Sequence, residues 1–358
     1  MNAPDSCVGF RRIFCIMGNG RIEIFDFMKG FCIAMVIADH CNLHFESVHI
    51  QNMLDAVRMP LYFFLSGVFF KEYTCYADFA LRKTCKLIIP YLFFALIYGI
   101  VITVNMSLCG TFPNLHHFKA LFFLPSNSPL WFLRCLFIAY TMYYLLNSLV
   151  LKRIGILGQW LTISVFAFIA WEVIDYCNGF RYTTKIVSYL YISDVFTAAV
   201  VLPIMFCAHK CRESLTNIFN YTLTKLIVVL AVSIVVLYFS TTGPLMFVKC
   251  KFDASFLSFY ISIACGICAI FALCTIIFRL IEVCHPIRHF ISEFGQYSLI
   301  ALGMHWTIRY ILLSVGWDNS WVMFAIIIAV MPFISKLLTK YFPYFTAQKD
   351  IVKYHSMK

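Results

Sequence analysis

Asp26, Lys29 and His40 stand in a run from Ile22 to Phe45, IEIFDFMKGFCIAMVIADHCNLHF, whose other residues are mostly fit for lipid. An ionisable group in hydrocarbon is costly and marks a working site by default. Lys29 and His40 lie about three helical turns apart, so they share one face roughly 16 Å apart along the axis. That makes a polar stripe with a cation near one end and an imidazole toward the other. An ammonium can hold an anion, and an imidazole with an ordinary pKa near 6.5 can exchange a proton at neutral pH. A compact aromatic segment follows, RMPLYFFLSGVFFK from Arg58 to Lys71, carrying Arg58 and Ser66. Later apolar runs are interrupted by Arg134, His305 and Arg309. His305 and Arg309 are spaced i and i+4 and face the same way on a helix. Asp26, Asp39, Glu172 and Asp194 are the acids within apolar runs that could pair with a buried arginine.

The elements that position these residues follow from composition. Of 358 residues, 62% are hydrophobic and 13% charged, against roughly 45–50% and 25% in soluble domains. A water-facing surface cannot be coated from this supply, so the chain is expected to be an all-α, polytopic membrane helix bundle. Ten apolar runs are candidate spans: 26–46, 57–71, 87–108, 130–150, 155–176, 186–207, 221–241, 255–279, 296–315 and 320–342. The second is short and holds Pro60, Ser66 and Gly67, which predicts a tilted or broken helix. Residues 1–21 are expected as an N-terminal cytoplasmic segment, 22–345 as one transmembrane domain and 346–358 as a cytoplasmic tail. No cleaved signal peptide is expected from Met1 to Gly20.

Lys and Arg concentrate in alternate loops, at Arg11, Arg12, Arg82, Lys83, Lys86, Lys152, Arg153, Lys210, Arg212, Arg279 and Arg288. By the positive-inside rule this predicts both termini in the cytoplasm. The same dispersal argues against nucleic acid despite a net charge of +11, because no basic patch forms. Most of the cysteines fall within apolar runs as small hydrophobes. The C-x-x-C of Cys265 and Cys268 lies mid-span without a second pair, so no metal is expected. Disulfides among Cys109, Cys177 and Cys250 stay open, as does a role for His116 and His117 in the long Cys109–Pro129 connection.

Five motifs in order resemble the integral-membrane acyltransferase family 3, close to its fucose O-acetylase-like members. Asp26, Lys29, Gly30 and His40 resemble its acidic–basic–Gly…His first helix, with Lys29 where the family usually has Arg. MPLYFFLSGVFFK (59–71), RKTCKLIIPY (82–91), PLWFL (129–133) and FGQYSLIALGMHW (294–306) resemble its later motifs. Lys lacks the planar fork of Arg, so a bidentate contact at position 29 is not carried over.

The resemblance implies transfer of an acetyl group from acetyl-CoA to a hydroxyl of a carbohydrate, a lipid-linked sugar or surface polysaccharide. It implies acetyl-CoA as co-substrate, contact with membrane lipids, and a plasma or inner membrane location. Acyl transfer needs a proton acceptor and groups that stabilise the oxyanion. His40 is then the expected base, with Asp26, Asp39 or Asp55 as a carboxylate to orient it. His44, at i+4, is expected on the same face. Lys29, Arg82, Lys83 and Lys86 would bind the donor's phosphates. Arg58, Ser66, Trp131, Arg134 and His305 would serve the acceptor or the oxyanion. Rival readings are a glycan or lipid transporter without chemistry, a purely structural subunit, and an acyltransferase that uses a succinyl or longer chain or modifies a non-sugar hydroxyl. Against the first stands the lack of a repeated half, and against the second the number of costly intramembrane charges.

Overall fold

The computed structural model describes residues 16–17, 21–73, 75–108, 129–179, 192–247 and 251–351. The Cys109–Pro129 connection up to Ser128, the side chains of Cys109, Cys177 and Cys250, and most of residues 1–21 lie outside them. In chain order the helices are α1 (Glu23–His40), α2 (Val48–Val68), α3 (Tyr76–Lys83), α4 (Ile89–Leu108), α5 (Trp131–Leu149) and α6 (Ile156–Gly179). They continue as α7 (Ile192–Ile218), α8 (Leu223–Ser240), α9 (Phe256–Leu280), α10 (His285–Gln296), α11 (Ser298–Ser314) and α12 (Ser320–Tyr341). Two minimal hairpins, β1–β2 (Ile16–Met17 with Arg21–Ile22) and β3–β4 (Leu245–Met246 with Lys251–Phe252), complete the described structure.

The chain is an all-α, multi-pass membrane bundle, and the described part of each expected apolar run falls mainly in a helix. Seven stretches of the described residues are long and apolar enough to cross a membrane. They are α3 through α4 taken together, α5, α6, α7, α8, α9 and α12. The three that fall short are α1, α2 and α11, the helices that carry His40, Arg58 and His305. They bury polar side chains among apolar ones: α1 buries Glu23 with Phe27, Met28, Cys32 and Ile37, and α11 buries His305 and Thr307. The lipid-facing sides fall to α8 and α6, where Val228, Val232, Phe239, Leu157 and Leu161 are exposed.

Three expectations are corrected. The second helix is neither short nor broken, because Ser47 caps it nine residues early by accepting from the Ile50 amide at 3.4 Å. Its length is 21 residues. Pro60 removes the amide that would bond Ala56, and that freed carbonyl lies against Gly266 of α9, where a Cβ would come within 2.9 Å of it. Helix α1 stops at His40, and Asn42 turns left-handed at φ 62°. His44 therefore leaves the His40 face and reaches back to Asp39 at 3.3 Å. Finally, residues 285–296, read as part of a loop, form α10. Pro286 starts it, and Ile287, Phe290, Ile291 and Phe294 recur at helical spacing.

Helix α10 docks on α1 through bare backbone. A Cβ on Gly295 would overlap the Asp26 carbonyl, and one on Gly30 would overlap the Ile291 carbonyl. Gly67 meets Met205 of α7, and Gly303 meets the Phe94 ring of α4 in the same way. The motif glycines are thus helix-crossing points. Overpacking of this kind costs about 1–3 kcal/mol or more. Gly295→Ala and Gly30→Ala are expected to lower the unfolding temperature in detergent, whereas Gly155→Ala, with nothing within 4 Å of its Cβ, should not. Equal melting of all three variants would sink the packing argument.

Candidate functional site

Helix α1 links two polar clusters. At its N-terminal end, Lys29 pairs with Asp26 at 2.9 Å and lies 5.3 Å from the centre of the Phe69 ring. The hydroxyl of Tyr62 donates to the Lys29 carbonyl at 2.9 Å. A cavity of about 500 Å³ opens here, lined by Asp26, Lys29, Tyr62, Ser66, Lys71, Tyr140, Gln296 and Ser298 among others. A second cavity of about 300 Å³ shares Phe69 and Lys71 with it and adds Tyr73, Arg82, Lys83, Lys86 and Asp350. Tyr140 joins the two, since the Lys83 ammonium sits 3.4 Å from the centre of its ring and its hydroxyl donates to the Ser66 carbonyl at 2.9 Å.

Backbone geometry gathers this basic group. Between α3 and α4 the chain widens into a π-helical turn over Thr84–Ile88, which ends two residues ahead of Pro90, a residue with no amide to donate to Lys86. The long helix therefore continues past a proline while Arg82, Lys83, Cys85 and Lys86 all line one pocket. Three of the cations have carboxylate partners. Besides Lys29 with Asp26, Arg82 holds Asp78 at 2.7 Å and Lys86 holds Asp350 at 2.5 Å. Lys71 and Lys83 have none among the described residues, which leaves an excess of positive charge facing the cavity. The loop that presents Lys71 is pinned by Glu72, which accepts from Lys152 at 2.8 Å. That bond holds the Glu72 carboxyl below its usual range. Residues past α12 fold back over this end: Phe345 stacks on Phe93 at 5.4 Å, and the Ala347 carbonyl accepts from Lys86 at 3.1 Å.

At the other end of α1, His40 stacks on His305 of α11, with ring centres 5.2 Å apart and planes at 24°. The Trp306 ring meets His40 edge-on at 5.1 Å. His305 is fully buried, and its Nδ1 lies 2.8 Å from the Ala301 carbonyl. A carbonyl only accepts, so Nδ1 carries the proton and Nε2 keeps its lone pair. That Nε2 has no hydrogen-bond partner in its buried position. His40 is half-buried, and its nitrogens make no hydrogen bond to a described residue. Of the two rings it is the one a second molecule can touch. Trp306 donates to the Tyr98 hydroxyl at 3.1 Å, and Asn105 donates to Tyr310 at 3.1 Å, so α4 closes this wall.

Among the described residues no carboxylate hydrogen-bonds to His40. Asp26 lies at the far end of α1 on Lys29. Asp39 takes Arg58 at 2.6 Å, Gln51 at 2.6 Å and His44 at 3.3 Å. Asp55 takes Arg58 as well. The orienting contacts are instead the His305 and Trp306 rings. Arg58 is at the His40 end, buried and held between two carboxylates. Ser66 is at the Lys29 end, in the larger polar cavity. Trp131 is buried against Phe132 rather than presented as an open platform. Arg134 lies apart from both clusters in a tie across three helices: Asp194 of α7 at 3.0 Å and the Tyr91 hydroxyl of α4 at 3.0 Å. Arg309, Trp306 and Tyr98 belong to the His40 cluster without having been assigned a role from sequence. The i, i+4 spacing of His305 and Arg309 was the signal that could have found the first.

A larger apolar cavity, about 730 Å³ between α6, α7, α8 and α9, is lined by Trp160, Pro203, Cys207, Tyr260 and Cys268 among others and holds no charged group. Among the described residues no three His, Cys, Asp or Glu side chains are grouped to hold a metal ion. A family model described as an acyltransferase domain matches residues 22–340. Neither the curated proteins nor the solved structures contain a significant match.

Proposed function

The chain belongs to acyltransferase family 3, whose model spans nearly all of it, and from that premise we propose that it moves an acetyl group from acetyl-CoA to a hydroxyl of an exported or cell-surface carbohydrate. It is a membrane acyltransferase, and the finer assignment rests on one observation. A single interior helix joins a cation-lined cavity to an accessible imidazole. Lys29, Lys71, Lys83 and Lys86 suit the phosphates of a CoA thioester, as charge-assisted hydrogen bonds. The larger cavity, with Tyr62, Ser66, Gln296 and Ser298, suits the amide-bearing arm that follows. His40 takes the acceptor's proton. His305 and Trp306 fix its ring.

In this reading α1, α2 and α11 also cross, as inner helices, which makes ten spans with both termini in the cytoplasm. The donor then enters at the Lys29 end and the acceptor at the His40 end, across a plasma or inner membrane. The test is acetyl content of cell-surface polysaccharide, by mass spectrometry, with and without the gene, together with acetyl-CoA consumption by the purified protein. Loss of acetyl groups and thioester turnover are expected. Binding of a glycan with no thioester turnover would favour a transporter instead.

Asp350 gives a second test. It occupies Lys86 as a donor phosphate would, but the pair is about half exposed, at 61% for Asp350 and 42% for Lys86. Such pairs contribute at most about 1 kcal/mol. Asp350→Asn is therefore expected to tighten acetyl-CoA binding by no more than about fivefold, with kcat unchanged. Weaker binding in that variant would place the donor elsewhere.

A further inference from the structure

Four arginines lie in the apolar runs or beside the histidine pair, and their partners differ; Arg279, at the last position of its run, donates to the Phe219 carbonyl and to the Tyr221 carbonyl at 2.7 Å. Arg58 is held by Asp39 and Asp55, and Arg134 by Asp194. Arg309 pairs with no carboxylate among the described residues. Its guanidinium lies over Trp306, 5.1 Å from the ring centre, and the same ring is 5.1 Å from that of His40. Its Nε is buried without a hydrogen-bond partner. The rest of the chain offers little else to pair with it. Residues 109–128, 180–191, 248–250 and 352–358 contain no Asp or Glu, and Asp5 precedes the opposite end of α1.

A guanidinium left unpaired inside a membrane bundle is expensive. Such a group persists where an anion arrives during function. We infer that Arg309 is a catalytic residue that holds the oxyanion formed on the acyl carbonyl, a residue outside the acceptor or oxyanion set of Arg58, Ser66, Trp131, Arg134 and His305 expected from the resemblance. The inference rests on the acyl-transfer reading above. In that step the acceptor hydroxyl oxygen bonds to the thioester carbonyl carbon, and its proton passes to His40. The carbonyl π pair moves onto oxygen, beside Arg309. The carbonyl then reforms, the C–S bond breaks, and the departing thiolate takes the proton back from His40. Arg309 sits one turn beyond His305 on the same face of α11, and the Trp306 ring touches both its guanidinium and the ring of the proton acceptor His40. Arg58 cannot serve, because two carboxylates already neutralise it.

The test compares wild type, Arg309→Gln and Arg309→Lys in full-length protein in nanodiscs, with acetyl-CoA as donor. For Arg309→Gln, kcat is expected to fall about 10²–10³-fold, the usual loss for one oxyanion donor. The KM values of donor and acceptor should stay within about threefold, because the contact forms only in the transition state. Arg309→Lys should fall between, keeping charge without the fork. Melting temperature reports whether the Gln variant folds. If it does not, the Lys variant decides, and kcat equal to wild type overturns the role. Retention of kcat in Arg309→Gln overturns it too, as does a loss seen only as a higher acceptor KM, which would make Arg309 a binder of acceptor anions. If wild type consumes no acetyl-CoA, the acyl-transfer reading itself fails and the oxyanion role with it.

Discussion

Replacing His40 with alanine is expected to lower kcat for acyl transfer by about 10²–10⁴-fold, the range for loss of a general base, while acetyl-CoA binding stays as in wild type. The two clusters make this split sharp. The cations proposed for the donor lie at the Lys29 end, roughly 16 Å from His40 along α1, so on that reading a change at His40 removes no contact to phosphate. His305→Ala is expected to give a smaller loss. His305 is buried behind His40, and its removal leaves a void rather than the absence of the reacting group. The pair is read by measuring kcat and donor affinity for both variants with purified enzyme. If His40→Ala keeps wild-type kcat while His305→Ala does not, the base is His305 and the assignment reverses. If His40→Ala loses donor binding instead, the two ends of α1 are not separate sites.

Much of this arrangement was legible from residue types. Each apolar run became a helix because a run of that length has no other way to satisfy its backbone in lipid. The charges of α1 pointed to the site because interior helices are where a bundle tolerates them. The local spacing put Lys29 and His40 on one helix, where the structure has them. What spacing could not give is contact between residues far apart in the chain. His40 and His305 meet only because α11 packs on α1, and α10, which leads into α11, docks on α1 where Gly30 and Gly295 let two backbones touch. The motif reading found both glycines without revealing that each is the other's partner. Helix α10 was missed for a different reason: its apolar residues recur with helical period but never form a run. The fate of Asp39 was also out of reach. Asp26 and Asp55 each pair with a cation three residues on in the same helix, whereas Asp39 reaches Arg58 of a different helix, a contact that only packing gives.

Arg134 shows how the same physics separates a structural charge from a working one, and it yields the largest expected loss of stability. Asp194 is 1% exposed, and Arg134 is its ion-pair partner. Removing one member strands the other as a buried charge, which costs about 3–5 kcal/mol. Arg134→Met and Asp194→Leu are each expected to unfold far below wild type in detergent, or to fail to accumulate. Replacing both with apolar residues of similar volume removes the stranded charge, and such exchanges are often neutral or stabilising. The double variant should therefore recover most of the melting temperature, leaving the Tyr91 hydroxyl without its 3.0 Å donor as the residual deficit. Its activity carries the further information. If Arg134 only joins α4, α5 and α7, the recovered protein transfers acyl groups at close to the wild-type rate. If it also contacts substrate, stability returns without activity, and the acceptor role expected for Arg134 from sequence stands. The first outcome is expected, because its guanidinium is already committed to Asp194 and Tyr91, while that of Arg309 pairs with no described carboxylate.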